Sequence, residues 1–380
     1  MRAVDWIVDF LIEHGTTDVF GIPGVVVMDF LYAVERRKSE ITPHLNYHEQ
    51  GASFAACGYA QTSGKLGVAY ATRGPGFTNM LTAMADAYYD SLPVMFLTAH
   101  SVPSLENKIR VMNNQEIDTV ALAKNITKKA VRVDDIDELQ AEFLDAYREA
   151  TSGRKGPVFL DIYNTLFSKE VGEVTDDISL SKNDNADDFI KTLEVNIRES
   201  TRPILLIGNG ARGNEKMIEQ VAEKNSIPVL SSRTAQDIVS QSPLYYGFIG
   251  SRATRYSNFI LSKADLIIAI GNRVSFPITS RSFLKITDKA RLIRVDIDES
   301  EFIRNIPNSL HYKMDCSTAL NAMNIANLNY RDSTGWIKVC DTLRNRLDKW
   351  DKNYVVEKIM KILGDAEECS PITCDVGNHS

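Results

Sequence analysis

Short apolar runs alternate with stretches of helical period along most of the chain, and the runs tend to end in glycine turns. Residues 65–72 are short and apolar, as a buried strand is, and stop at Arg73-Gly74-Pro75-Gly76. Residues 77–89 then carry a helical pattern, and 93–98 form a second apolar run. Residues 17–24 show the same device earlier, ending in Gly21-Ile22-Pro23-Gly24. Glycines set where strand ends meet helix starts predict an open α/β sheet, in which ligands bind outside the carboxyl ends of the strands. Residues 156–162 read as the last strand of this first domain, 1–168. The stretch 169–190 is polar, acidic and aperiodic, and reads as a linker. The alternation resumes at 202–207, 228–230, 264–271 and 290–298, with a helix over 215–224, which gives a second domain over 191–327. A polar segment, 328–353, reads as another linker, and 354–363 as a helix that opens a third, incomplete domain over 354–380. The expected fold class is α/β, with tandem doubly wound parallel-sheet domains.

Composition removes several function classes. A chain of 380 residues has room for two or more domains with ample cores. The net charge of −7 and the scattered Lys and Arg argue against a nucleic-acid footprint. No apolar run reaches membrane length, and residues 1–6 start an amphipathic helix instead of a signal peptide. Cys57, Cys316, Cys340, Cys369 and Cys374 are widely spread and lack metal-site spacing, so they read as reduced thiols. The expected compartment is the cytoplasm, with no membrane and no nucleic acid as partner.

The candidate chemistry centres on Glu49. It follows Asn46-Tyr47-His48 and precedes Gln50-Gly51-Ala52-Ser53, then more small residues. This is a helix that opens on an acid and lets other backbone pack closely. A solvated Glu welcomed by the helix dipole explains the segment alone; a buried one needs a donor. In the second domain Gly208-Asn209-Gly210-Ala211-Arg212-Gly213 follows an apolar strand, with Rossmann-like glycine spacing. The acid expected after the next strand is missing, since Ser231, Ser232 and Arg233 follow Leu230. A lone motif of this kind is weak, and a close-packed turn explains it.

Taken in order, Gly21-Ile22-Pro23-Gly24, His48-Glu49-Gln50-Gly51-Ala52, Gly58-Tyr59-Ala60, residues 71–79 and Asp90-Ser91-Leu92-Pro93-Val94 resemble the pyrimidine-binding domain of the thiamine diphosphate enzymes, nearest the acetolactate synthase branch. The resemblance covers most of the chain. It makes the second domain the Rossmann-like middle domain, whose last strand ends in Asp296-Ile297-Asp298. It implies that Glu49 hydrogen-bonds a ring nitrogen of the aminopyrimidine and that Gln115 reaches the reactive end, as the catalytic pair. Pro23, Gly24, Val25, Glu49, Thr72, Gly74, Pro75 and Asn79 would contact the cofactor. Asp375-Val376-Gly377-Asn378-His379 resembles the start of the diphosphate-binding domain, and Gly377, Asn378 and His379 would face the diphosphate. Ligands for Mg2+ are expected beyond residue 380, with no metal ligand within the chain. The expectation is thus a fragment or a natural truncation, inactive alone.

The implied activity is decarboxylation of a 2-oxo acid, pyruvate first, with transfer of the acyl anion to an acceptor carbonyl, as in branched-chain amino acid biosynthesis. A 2-oxo acid decarboxylase or keto-sugar carboligase is the second reading, and a catalytically inactive partner subunit the third. The active site would lie between subunits of a homodimer or tetramer. FAD, held in some family members, would use Gly208, Gly210, Arg273 and Asp296. Two departures weigh against it: the family's Gly-x-His-Gly is Gly247-Phe248-Ile249-Gly250 here, and Arg-Phe-Asp-Asp is Arg273-Val274-Ser275-Phe276. Asn114 in place of Phe before Gln115, and Val25 in place of Gly after Gly24, imply altered specificity. His48 is expected to shape its turn; His14, His44, His100 and His311 receive no role.

Overall fold

The computed structural model describes residues 1–101, 115–172, 186–250, 253–274, 289–303, 306–326, 328, 330 and 333–351. It divides into two compact units, Met1–Ser181 and Lys182–Ser380. The first begins with α1 (Ala3–Glu13), β1 (Asp18–Gly21), α2 (Met28–Arg36), β2 (Thr42–Leu45), α3 (Glu49–Ser63) and β3 (Gly67–Tyr70). It continues with α4 (Pro75–Asp90), β4 (Val94–His100), α5 (Thr119–Ala123), β5 (Lys129–Val133), α6 (Ile136–Thr151) and β6 (Val158–Tyr163). All pairings are parallel, in the order β2-β1-β3-β4-β6-β5.

That order follows from burial. β4 is buried along its whole length, as a central parallel strand with helices on both faces must be. α1 buries Ala3, Val4, Ile7, Val8 and Leu11, a stripe at helical spacing, against one face. α3 buries only small side chains, Ala52, Ser53, Ala56, Cys57 and Ala60. It therefore approaches β3 so closely that a Cβ on Gly67 would lie 2.3 Å from the Ala56 carbonyl oxygen. The chain turns back between β1 and β3, so the topological switch point, where such sheets bind ligands, lies at the carboxyl ends of these two strands.

The second unit contains α7 (Asp187–Glu199), β7 (Pro203–Ile207), α8 (Glu215–Asn225), β8 (Val229–Ser231), β9 (Tyr245–Phe248), α9 (Arg255–Lys263) and β10 (Leu266–Ile270). β11 (Arg291–Asp296), β12 (Ser309–Lys313), α10 (Cys316–Ile325) and α11 (Ser333–Asp351) follow. Its sheet is also parallel, in the order β12-β11-β10-β7-β8-β9. Both sheets agree with the fold class expected from the sequence.

The expected linkers need correction. Residues 169–171 belong to the first unit: the Ala3 N–H donates to the Lys169 carbonyl at 2.8 Å and the Val171 N–H to that of Met1 at 2.9 Å. The helix α7 starts at Asp187, inside the stretch read as linker. The segment read as a linker over 328–353 holds α11. There Trp336 and Cys340 are buried and Leu343 packs beside them, one apolar stripe on a helix of mixed polar and apolar residues. The indole N–H of Trp336 donates to the Pro203 carbonyl at 3.0 Å. The segment 354–380 lies outside the described residues.

Candidate cofactor site

The site is built on the switch point of the first unit. The turn after β1 and the turn after β3 touch: a Cβ on Gly24 would lie 2.7 Å from Thr72 Cβ. Val25, which follows, is 90% exposed, an aliphatic side chain standing in the open at the strand ends. α4 starts with Pro75 at its first helical position, where a missing N–H costs nothing. Gly74 before it has φ +59°, a left-handed conformation that glycine takes freely.

Glu49 opens α3, half-buried, where the helix dipole favours an anion. The preceding His48 caps the helix, its Nδ1 accepting from the Gln50 N–H at 3.1 Å. The donor that a buried Glu needs is Asn79: its Nδ2 donates to Glu49 Oε2 at 2.9 Å. The other oxygen faces Gly76. A Cβ there would come within 3.5 Å of Glu49 Oε1 and within 2.9 Å of Thr72 Cγ2. Gly24 and Gly76 thus both pack against Thr72, with Gly76 beside one carboxylate oxygen of Glu49. Among the described residues, Asn46 Oδ1 and Ser53 Oγ, on either side of Glu49 in the chain, are buried with no hydrogen-bond partner.

Gln115 stands beside the same turn. Its φ is +64°, and a Cβ on Gly74 would lie 2.1 Å from its carbonyl oxygen. The next residue, Glu116, is 7% exposed. Its Oε1 accepts from the Ser101 N–H at 2.7 Å and from Arg73 Nη1 at 3.4 Å. Arg73 Nη1 also donates to Ser101 Oγ.

Across the neighbouring strands runs a buried polar row. Thr98 Oγ1 donates to Asp161 Oδ1 at 3.0 Å and Thr119 Oγ1 to Asp161 Oδ2 at 2.6 Å. His100 Nε2 lies 2.7 Å from Asp134 Oδ1. Its Nδ1 is 3.2 Å from Asp161 Oδ1 but off the line of a hydrogen bond. His100, which no motif singles out, thus lies beside these two acids and a stacked Tyr163.

Residues 1–122 match the model of the N-terminal thiamine pyrophosphate-binding domain of thiamine pyrophosphate enzymes, and residues 190–323 match that of the central domain. The chain is 30% identical to the probable acetolactate synthase large subunit of Methanocaldococcus jannaschii, covering 100% of this chain and 67% of that protein. It is 30% identical to the acetolactate synthase isozyme 2 large subunit of Escherichia coli, covering 100% and 69%. The chain belongs to the thiamine pyrophosphate enzyme family. Against acetolactate synthase 1 of Zea mays it is 33% identical over 85% of its own length and 51% of the relative. The chain spans about half the length of several of the curated relatives that it matches.

Within this family member, the structure brings Gly24, Glu49, Thr72, Gly76 and Asn79 together, with Gly74 against Gln115. Pro23 and Pro75 are exposed on the two turns. Gly377, Asn378 and His379 lie outside the described residues, as do Asn114, Ser275 and Phe276. Sequence reading missed Arg73 and Glu116. The signal present was an Arg just before Gly74 and a Glu just after Gln115.

The four residues offered for FAD do other things. The Gly208 N–H donates to the Ile270 carbonyl at 3.0 Å and that of Gly210 to the Gly271 carbonyl at 3.1 Å. A Cβ on Gly208 would lie 2.1 Å from the Gly271 oxygen. Arg273 Nε donates to Glu301 Oε1 at 2.7 Å, and Asp296 Oδ1 accepts from the Asp298 N–H at 3.0 Å. The N–H groups that would cradle a diphosphate are spent on the neighbouring turn, so these four residues do not fit a flavin nucleotide.

Among the described residues no group of three or more His, Cys, Asp or Glu side chains could hold a metal ion. Cys57, Cys316 and Cys340 are free and buried, and burial pushes each thiol up to about 12. Among the same residues no helix is long and apolar enough to cross a membrane.

Proposed function

We propose that the first unit binds the aminopyrimidine half of thiamine diphosphate at the β1/β3 switch point. In the full-length protein this would serve decarboxylation of a 2-oxo acid, pyruvate first, and transfer of the acyl group to an acceptor carbonyl. The observation that carries the reading is Glu49: a half-buried acid, fixed through one oxygen by Asn79, with the other beside Gly76. When bound, thiamine diphosphate supplies the electron sink for the pair released on decarboxylation. Glu49 would hold a proton at Oε1 for the ring nitrogen, and Asn79 would keep the carboxylate from swinging away. Gly24, Thr72 and Gly76 would shape the ring's bed, Val25 would meet its face, and Gln115 would reach the reacting end.

Mg2+ and the diphosphate contacts of Gly377, Asn378 and His379 belong to the proposal, as do a homodimer or tetramer and a cytoplasmic setting. FAD is not part of it, since its candidate residues are engaged elsewhere. The reading of an inactive partner subunit is disfavoured by the same observation, because a packing role asks for no acid at this spot. The test is pyruvate turnover by the full-length protein with thiamine diphosphate and Mg2+. Glu49→Gln should lower kcat by ~10²-fold or more, the scale of a lost proton-transfer group. Turnover within a few-fold of wild type would remove Glu49 from the mechanism.

A further inference from the structure

We propose that Arg73 and Glu116 form a positioning pair that holds Gln115 at the edge of the cofactor site. The inference rests on the reading above for what Gln115 faces, and on this chain's own geometry for how it is held.

Two backbone segments meet here, the turn 72–76 and the residues 115–116. Their contact is Gly74 against the Gln115 carbonyl, where no Cβ fits. Both residues have positive φ, +59° and +64°. Glycine takes that conformation freely; glutamine does so against the clash of its Cβ, and stays only where its surroundings hold it. One residue along each segment supplies the hold. Arg73 precedes Gly74, Glu116 follows Gln115, and their side chains meet at 3.4 Å. The same Glu116 oxygen accepts from the Ser101 N–H at 2.7 Å, and Arg73 donates to the Ser101 hydroxyl oxygen, so the residue after β4 is tied in. The turn after β3, the end of β4 and Gln115 are thereby joined through one carboxylate.

Burial distinguishes this from an ordinary surface ion pair. The Glu116 side chain is 2% exposed and that of Arg73 21%. A carboxylate so enclosed is costly without a cation and donors, so Arg73 cannot leave without stranding it. Among the described residues the second Glu116 oxygen is buried without a hydrogen-bond partner, which makes the Arg73 contact and the Ser101 N–H the more necessary. Glu116 makes no claim on the reacting atoms; it acts through Gln115.

The experiment uses the full-length protein with Arg73→Met, Glu116→Ala and the conservative Arg73→Lys, which keeps a charge but not the guanidinium fork. Amide hydrogen exchange over residues 115–118 is read together with kcat, KM for the 2-oxo acid and thiamine diphosphate affinity. Arg73→Met and Glu116→Ala should quicken exchange at 115–118 by about tenfold or more, while α1 and β6 keep their protection. The same variants should lower kcat by about tenfold with cofactor affinity held within a few-fold, and Arg73→Lys should fall between them and wild type. Unchanged exchange at 115–118 in both variants would overturn the pairing, as would a quickening spread evenly over the first unit. If the thiamine diphosphate reading itself is wrong, wild type shows no turnover, and the exchange measurement still decides the pair.

Discussion

Glu49 and Asn79 are a case in which one hydrogen bond sets what an acid can do. The amide donates to Oε2 at 2.9 Å and leaves Oε1 beside Gly76, so one carboxylate oxygen is tied and the other is left for the proposed work on the cofactor. Replacing Asn79 by Leu removes the donor and leaves the partly buried oxygen unpaired. A hydrogen bond to a charged group contributes about 1.5–3 kcal/mol, so Asn79→Leu should lower kcat by roughly 10- to 100-fold in a steady-state assay of the full-length protein. Circular dichroism should show the fold retained. The acid was legible in the sequence because it stands alone among small residues at a helix start. The Arg73–Glu116 pair was not, because a contact across 43 positions leaves no spacing to read. His48 was legible as a turn-shaping residue, and its role as cap follows from its ring accepting the Gln50 N–H.

At the scale of elements, strands were easier to read than polar helices. β3, β4, β7 and β10 are apolar runs that declare themselves, buried along their length. α11 did not declare itself, because among the described residues only Trp336, Cys340 and Leu343 join the hydrophobic cluster, amid many polar and charged residues. Trp336 is 3% exposed and its indole N–H is spent on Pro203. Trp336→Ala should therefore destabilise the second unit by about 3–5 kcal/mol in a denaturant titration. The turn before β7 carries a pH dependence. Burial alone would raise the Asp265 carboxyl, but the Ser200 and Thr201 hydroxyls and the Thr201 and Arg202 N–H groups outweigh it and hold it below its ordinary 3.8. A depressed folded-state pKa gives stability that is present above the unfolded value and lost as pH falls through the folded one. The second unit should loosen as pH drops below about 3.8, and Asp265→Asn should flatten that limb of a stability–pH profile.

For the whole molecule, the two parallel sheets share a plan and differ at their switch points. In the first unit the strand-end turns meet beside an acid, Glu49, held by Asn79. In the second, between β7 and β10, the turns close on each other, with the Gly208 and Gly210 N–H groups taken by Ile270 and Gly271. The glycine spacing after β7 looked alike in either case, since close packing and diphosphate binding both ask for glycine; only the direction of the N–H groups separates them. Purified full-length protein should accordingly be colourless after desalting, with no flavin absorption band at near-stoichiometric level. Such a band would show that FAD uses contacts other than these four residues.

The central claim is that Glu49 acts on the cofactor through its ring, and exchange of the thiazolium carbon's proton with deuterium in the bound cofactor reads that directly. With the full-length protein, thiamine diphosphate and Mg2+, Glu49→Gln should slow this exchange by ~10²-fold or more relative to wild type, with cofactor affinity little changed. Equal exchange rates in the two proteins, at equal cofactor occupancy, would contradict the account.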